Sequence, residues 1–79
     1  MSGVTPVQAA HVLWHFRDPR GYRPGSFIEK LLDAIGAADH MNRFQLFTAF
    51  PGYVTAWEMG ARQANGLDQL AAIAALDTA

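Results

Sequence analysis

Cysteine is absent from all 79 residues. That removes disulfides and thiolate chemistry, and it fits a reducing compartment. Charge is also scarce: only 16% of the chain is Asp, Glu, Lys or Arg, against 51% apolar. So apolar a composition excludes intrinsic disorder and requires a packed core. No apolar run approaches the ~20 residues that span a bilayer, and the stretch MSGVTPVQ lacks the positive and apolar regions of a secretory signal. The expectation is a cytoplasmic chain with no membrane segment. At 79 residues there is core enough for a single domain, residues 1–79.

Catalytic patterns are missing too. There is no GxxxxGK[ST] phosphate loop and no close pair of carboxylates for general acid and base roles. Ser26 reads as a helix cap rather than a nucleophile, because Glu29 three positions later completes a capping box. His11 and His15 stand four apart on one predicted helix, a metal-ligating spacing to which Asp39 or His40 can add a third ligand. Val12, however, occupies the position where the helical zinc-protease motif needs its glutamate. No metal site, no cofactor and no enzymatic activity are expected.

What is present is helical periodicity. Thr5 and Pro6 open a helix over about 6–16, in which Val7, Ala10 and Trp14 recur on one face. Ser26 opens a second over 26–37, with Phe27, Ile28, Leu31, Leu32 and Ile35 on one side. Asp39 caps a third, HMNRFQLFTAF, which Pro51 ends near Phe50. A fourth, GYVTAWEMGARQA, stops at Asn65-Gly66, where both residues tolerate left-handed backbone. The last, LDQLAAIAALD, is too short to stand alone and should dock through Leu67, Leu70, Ile73 and Leu76. The alternative is a partner chain approached across Ala71, Ala72, Ala74 and Ala75. No alternation of strand type, internal repeat or low-complexity segment is visible. The predicted fold is all-α, a compact orthogonal array of four to five short helices.

Charge is divided along the chain. Residues 1–30 hold Arg17, Arg20, Arg23 and Lys30 against Asp18 and Glu29, whereas residues 31–79 hold Arg43 and Arg62 against five carboxylates. The three arginines sit in FRDPRGYRPGSF, residues 16–27. There Asp18-Pro19-Arg20-Gly21 and Tyr22-Arg23-Pro24-Gly25 predict two turns in series. A stiff loop of this kind loses little entropy on docking, and its guanidinium groups can fork onto carboxylates or phosphates. Arg17, Arg20, Tyr22 and Arg23, with Trp14, are therefore the candidate partner-binding residues, the solvated-turn reading of the arginines standing beside this one. Most of the two Trp, two Tyr and five Phe are expected in the core, with one or two left at the surface as interface anchors.

A helix-turn-helix is the other reading. The second helix, a short link and the third have its length, and Asn42, Arg43 and Gln45 can read base edges. Against it, Phe44, Leu46, Phe47 and Phe50 cover most of that helix's circumference and argue for its burial. The net charge of −1 also opposes phosphate binding, so nucleic acid is an improbable partner on composition.

At FRDPRGYRPGSF, followed by LLDAIGAADHMNRFQLFTAFPGYVTAWE, the chain resembles short actinobacteriophage-encoded proteins, a domain of unknown function. It is similar to them in an aromatic-x-D-P-x-G-Y-x-P-G-S-F stretch, an A-D-x-x-N-R helix start and an F-P-x-Y-V step. The resemblance spans about residues 16–58 and leaves out the alanine-rich C-terminus. It implies a viral origin and a bacterial host cytoplasm, and it implies no activity. On this reading the protein is a small phage-type accessory product, a non-enzymatic module that binds a host or phage protein or associates with itself.

Overall fold

The computed structural model describes residues 3–76, and within them five helices follow one another: α1 (Pro6–His15), α2 (Ser26–Ala37), α3 (His40–Ala49), α4 (Pro51–Arg62) and α5 (Gly66–Ala75). The chain is all-α, as the periodicity predicts. Its Cα radius of gyration is 11.5 Å, against about 11.6 Å for a folded chain of this length.

Each helix starts for a local reason. Thr5 accepts a hydrogen bond from the Gln8 amide at 3.1 Å, and the Gln8 side chain accepts one from the Thr5 amide at 3.0 Å. This reciprocal box satisfies two otherwise orphaned donors. Asp39 caps α3 by accepting from the Asn42 amide at 2.8 Å, and Pro51 supplies the first residue of α4. The box expected at Ser26 and Glu29 does not form. Gly25 is the N-cap of α2 with no side-chain cap, so Ser26 is already helical, and the Glu29 carboxylate is taken by Arg23.

The core gathers one face from four helices: Ala9, Val12 and Leu13 of α1; Leu31, Leu32 and Ile35 of α2; Val54, Ala56 and Met59 of α4; and Leu70 of α5. Helix α5 docks in cis along α1 and α4. Leu67, Leu70 and Ile73 point inward as expected, with Ala71 and Ala74 beside them, so those two alanines are part of the domain's own packing. Leu76, expected inside, is exposed; Asp77 lies outside the described residues. The α4–α5 joint depends on Gly66. A Cβ there would overlap the backbone carbonyl of Met59, so only glycine permits this approach.

Helix α3 stands apart. None of its residues is buried, and it packs principally on α4. Only Leu46 and the following Phe50 reach the core as partly buried neighbours. The expectation that Phe44 and Phe47 would be buried is not met: they are 63% and 44% exposed, and Met41 is 67% exposed. The reason is that Arg43, rather than an aromatic residue, takes the inward face at the start of α3.

Candidate functional site

The arginine loop is tied to the domain by its own charges. Helix α1 ends at Phe16, and the amides of Arg17 and Asp18 donate back to the carbonyls of Trp14 and Leu13, both at 2.9 Å. This is a Schellman closure with Arg17 in its left-handed position at φ 63°. The left-handed backbone anticipated at Asn65-Gly66 is not there; Asn65 has φ −113°. The first predicted turn is present, the Gly21 amide donating to the Asp18 carbonyl at 3.1 Å. The second is not: residues 22–25 form no turn, and Pro24 is buried. Gly21 lies so close to α1 that a Cβ would strike the Ala10 carbonyl and the Trp14 amide.

Two of the three arginines are engaged inside the molecule. Arg20 forks onto Asp18, Nε to Oδ1 at 3.0 Å and Nη2 to Oδ2 at 2.8 Å, and its Nη1 reaches Asp68 on α5 at 3.0 Å. The hydrogen bonds from the Arg20 side chain, then from its amide, hold the Asp18 carboxyl down at about 2. Arg23 pairs with Glu29 through Nε at 3.0 Å and Nη2 at 3.3 Å, and its guanidinium lies 5.7 Å from the Trp14 ring centroid. Arg17 is exposed beside an open groove of about 640 Å³ that Trp14, His15, Asp18, Glu29 and Asp33 also line. Its lining sets one arginine, Arg17, against three carboxylates, of which Asp18 and Glu29 are already paired with Arg20 and Arg23.

The two histidines of α1 have separate surroundings. His11 Nδ1 is 2.8 Å from the Tyr53 hydroxyl, its ring stacks on Tyr53 and meets the half-exposed Tyr22 edge-on. Burial lowers the His11 pKa. His15 packs on Phe16, with Nδ1 3.9 Å from Asp33. Burial lowers its pKa as well, against the raising effect of Asp33. Among the described residues no group of three or more His, Asp or Glu is placed to hold a metal ion.

On α3 the three residues singled out for base reading part company. Asn42 and Gln45 are exposed. Arg43 turns inward, donating from Nη2 to the Ala38 carbonyl at 2.7 Å and from Nε to the Ile35 carbonyl at 3.2 Å, with its guanidinium 4.7 Å from the Trp57 ring centroid. It caps the C-terminus of α2, where the carbonyls lack helical partners and the dipole favours a cation. Turning Arg43 inward leaves the outer face of α3 without an ionised side chain.

That outer face carries three of the large apolar side chains exposed among the described residues. Met41, Phe44 and Phe47 follow one another at three-residue spacing, with exposed Gln45 and Thr48 alongside. Between α3 and α4 lies a depression of about 290 Å³ lined by His40, Arg43, Phe44, Phe47, Val54, Thr55 and Glu58. The sequence reading, which expects most aromatic residues in the core and one or two at the surface, does not single out this face. The sign was there: a helix whose inner stripe holds only Leu46 and Phe50 besides an arginine cannot bury four large apolar side chains on one neighbour. Among the described residues no helix is long and apolar enough to cross a membrane. Comparison with protein-family models, curated proteins and solved structures returned no match.

Proposed function

We propose that this is a non-enzymatic protein-interaction module whose contact surface is the outer face of α3. One observation carries the reading: Met41, Phe44 and Phe47 are left open to solvent on a helix that buries nothing of its own. Exposed aromatic and Met side chains match the composition of interface centres, and the nearest charges, Arg43 and Glu58 in the adjoining recess, are engaged with the α2 carbonyls and with Arg62. The resemblance of residues 16–58 to actinobacteriophage proteins supports an accessory role in a bacterial host cytoplasm. The arginine loop has a different function in this reading. Its ion pairs tie the loop to α5 through Asp68 and to α2 through Glu29.

The test is affinity capture on immobilised protein from a nuclease-treated actinobacterial lysate to which free, tagged copies of the same chain are added. Wild type is compared with Phe44→Glu and with the Arg20→Glu, Arg23→Glu double variant. Retention of a protein, or of the free copy, that Phe44→Glu abolishes is the expected result. Retention that survives Phe44→Glu and disappears with the arginine variant would return the binding surface to the loop. If wild type retains nothing and instead binds duplex DNA at low salt, the helix-turn-helix reading replaces this one.

A further inference from the structure

We infer that the occupant of the α3 face is a second copy of this chain, in a two-fold dimer with the two α3 helices antiparallel. The inference rests on the interaction reading above and adds the identity of the partner.

Charge is the first argument. In a two-fold contact each group near the axis meets its own image, so a self-pairing surface cannot carry exposed charge of one sign at its centre. The only Lys, Arg, Asp or Glu within α3 is Arg43, and it is turned away onto the Ala38 and Ile35 carbonyls and the Trp57 ring. What remains outward on 41–48 is Met41, Asn42, Phe44, Gln45, Phe47 and Thr48, neutral throughout. The recess beside it holds one group of each sign, Arg43 and Glu58, the latter paired with Arg62. The face therefore offers no excess of either sign to a charged partner, and no like charges that would repel their own images across a two-fold axis.

Shape is the second. The depression beside the patch, about 290 Å³, lies at or below the lower limit of ~300 Å³ for small-molecule pockets, and it is lined by the same Phe44 and Phe47 that border it. A surface that carries both projecting side chains and a recess satisfies itself under a two-fold axis, which seats each copy's projection in the other's recess. With the axis beside residues 44 and 45, antiparallel α3 helices place Met41 of one copy opposite Thr48 and Phe47 of the other. The opposed helix dipoles are then also favourably arranged.

Area is the third. The exposed fractions of Met41, Phe44 and Phe47 (67%, 63% and 44%) come to roughly 350 Å² of side chain per copy, taking ~200 Å² for each whole side chain. Flanking Asn42, Gln45, Thr48 and Thr55 extend this toward, but not beyond, the ~800 Å² per partner of a stable interface. An interface below the stable class makes a reversible dimer, not an obligate one.

Sedimentation equilibrium of the full chain from low micromolar to near-millimolar concentration tests this. Wild type should pass from monomer to dimer, and Phe44→Glu and Met41→Glu should each weaken the dimer by at least ~30-fold while keeping the wild-type helical circular dichroism. Because the chain has no cysteine, Gln45→Cys provides a second readout. A short bis-maleimide should join two copies at position 45, and not in the Lys30→Cys control on α2. A wild type that stays monomeric throughout overturns the dimer, as does a dimer indifferent to Phe44→Glu, or cross-linking at 30 in preference to 45. A monomer that still retains a lysate protein through Phe44 overturns only the choice of partner. A monomer that retains nothing overturns the interaction reading as well.

Discussion

Replacing Arg43 with alanine should destabilise the domain by about 2 kcal/mol. The Nη2 bond to Ala38 O, at 2.7 Å, is charge-assisted but sits at a partly exposed cap, worth ~1 kcal/mol at the low end of its class. The Nε bond to Ile35 O, at 3.2 Å, adds only a few tenths of a kcal/mol, because that carbonyl already accepts from the Ala38 amide. Stacking of the guanidinium over Trp57 at 4.7 Å contributes ~0.5–1 kcal/mol. A loss of this size lowers the folding constant ~30-fold and the Tm by about 8–16 °C in a domain this small. Urea and thermal unfolding followed by circular dichroism read both. Arg43→Lys keeps a cation near the α2 carbonyls but cannot fork across two of them while stacking on the indole, so it should recover about half of the loss. A change within ~0.5 kcal/mol of wild type for Arg43→Ala, the range of an ordinary surface substitution, would refute the capping role.

Other outcomes follow from the same geometry. Arg17→Gly should stabilise by about 0.5–1 kcal/mol, since the left-handed position costs an L-residue ~1–2 kcal/mol and glycine returns part of that gain through the unfolded chain; an unchanged or lower urea midpoint would contradict it. Gly66→Ala should cost about 2–3 kcal/mol, because the obstructing Met59 carbonyl is backbone and α5 must shift from α4 to relieve the overlap; unfolding midpoints within error of wild type would show that the joint yields. Stability should fall with acid in two windows. His11 and His15 have lowered pKa values in the fold, so the unfolded chain binds more protons below its ordinary value of ~6.5 and stability declines as pH drops through that region. Asp18, held at about 2, contributes fully above its unfolded value of ~3.9 and loses that contribution as pH falls toward its folded one. A His11→Asn, His15→Asn variant should flatten the first window and leave the second, as urea midpoints across pH will show.

Much of the fold was legible in the chain because local signals agreed with each other. Thr5, Pro6, Asp39 and Pro51 mark helix starts by chemistry that acts within one turn, and the periodic Leu and Ile residues of α2 and α5 identify their buried faces. Where two local explanations competed, tertiary context decided. Ser26 and Glu29 have the spacing of a capping box, but Arg23 offers Glu29 a charged partner, and the cap passes to Gly25. The reciprocal box that does form, Thr5 with Gln8, has the same three-residue spacing, with Gln in the place of Glu. Arg17 in a left-handed position is illegible from sequence, since the preference for glycine there is overridden by the closure of α1 and the loop that follows. The candidate site was the least legible part. The arginines attract attention by number and proximity, yet Asp68, forty-eight positions from Arg20, is a partner no local pattern reveals. The aromatic residues of α3 look like core until Arg43 is seen to occupy the inner face.

The most direct test of the α3 face is a dilution series of ¹⁵N-labelled protein, mapping which amide resonances move between micromolar and millimolar concentration. The account predicts shifts concentrated at 41–48 and the facing residues of α4 around Thr55, with the loop at 17–25 unmoved. Shifts centred on Arg17, Arg20 and Arg23, or a spectrum indifferent to concentration, would contradict it.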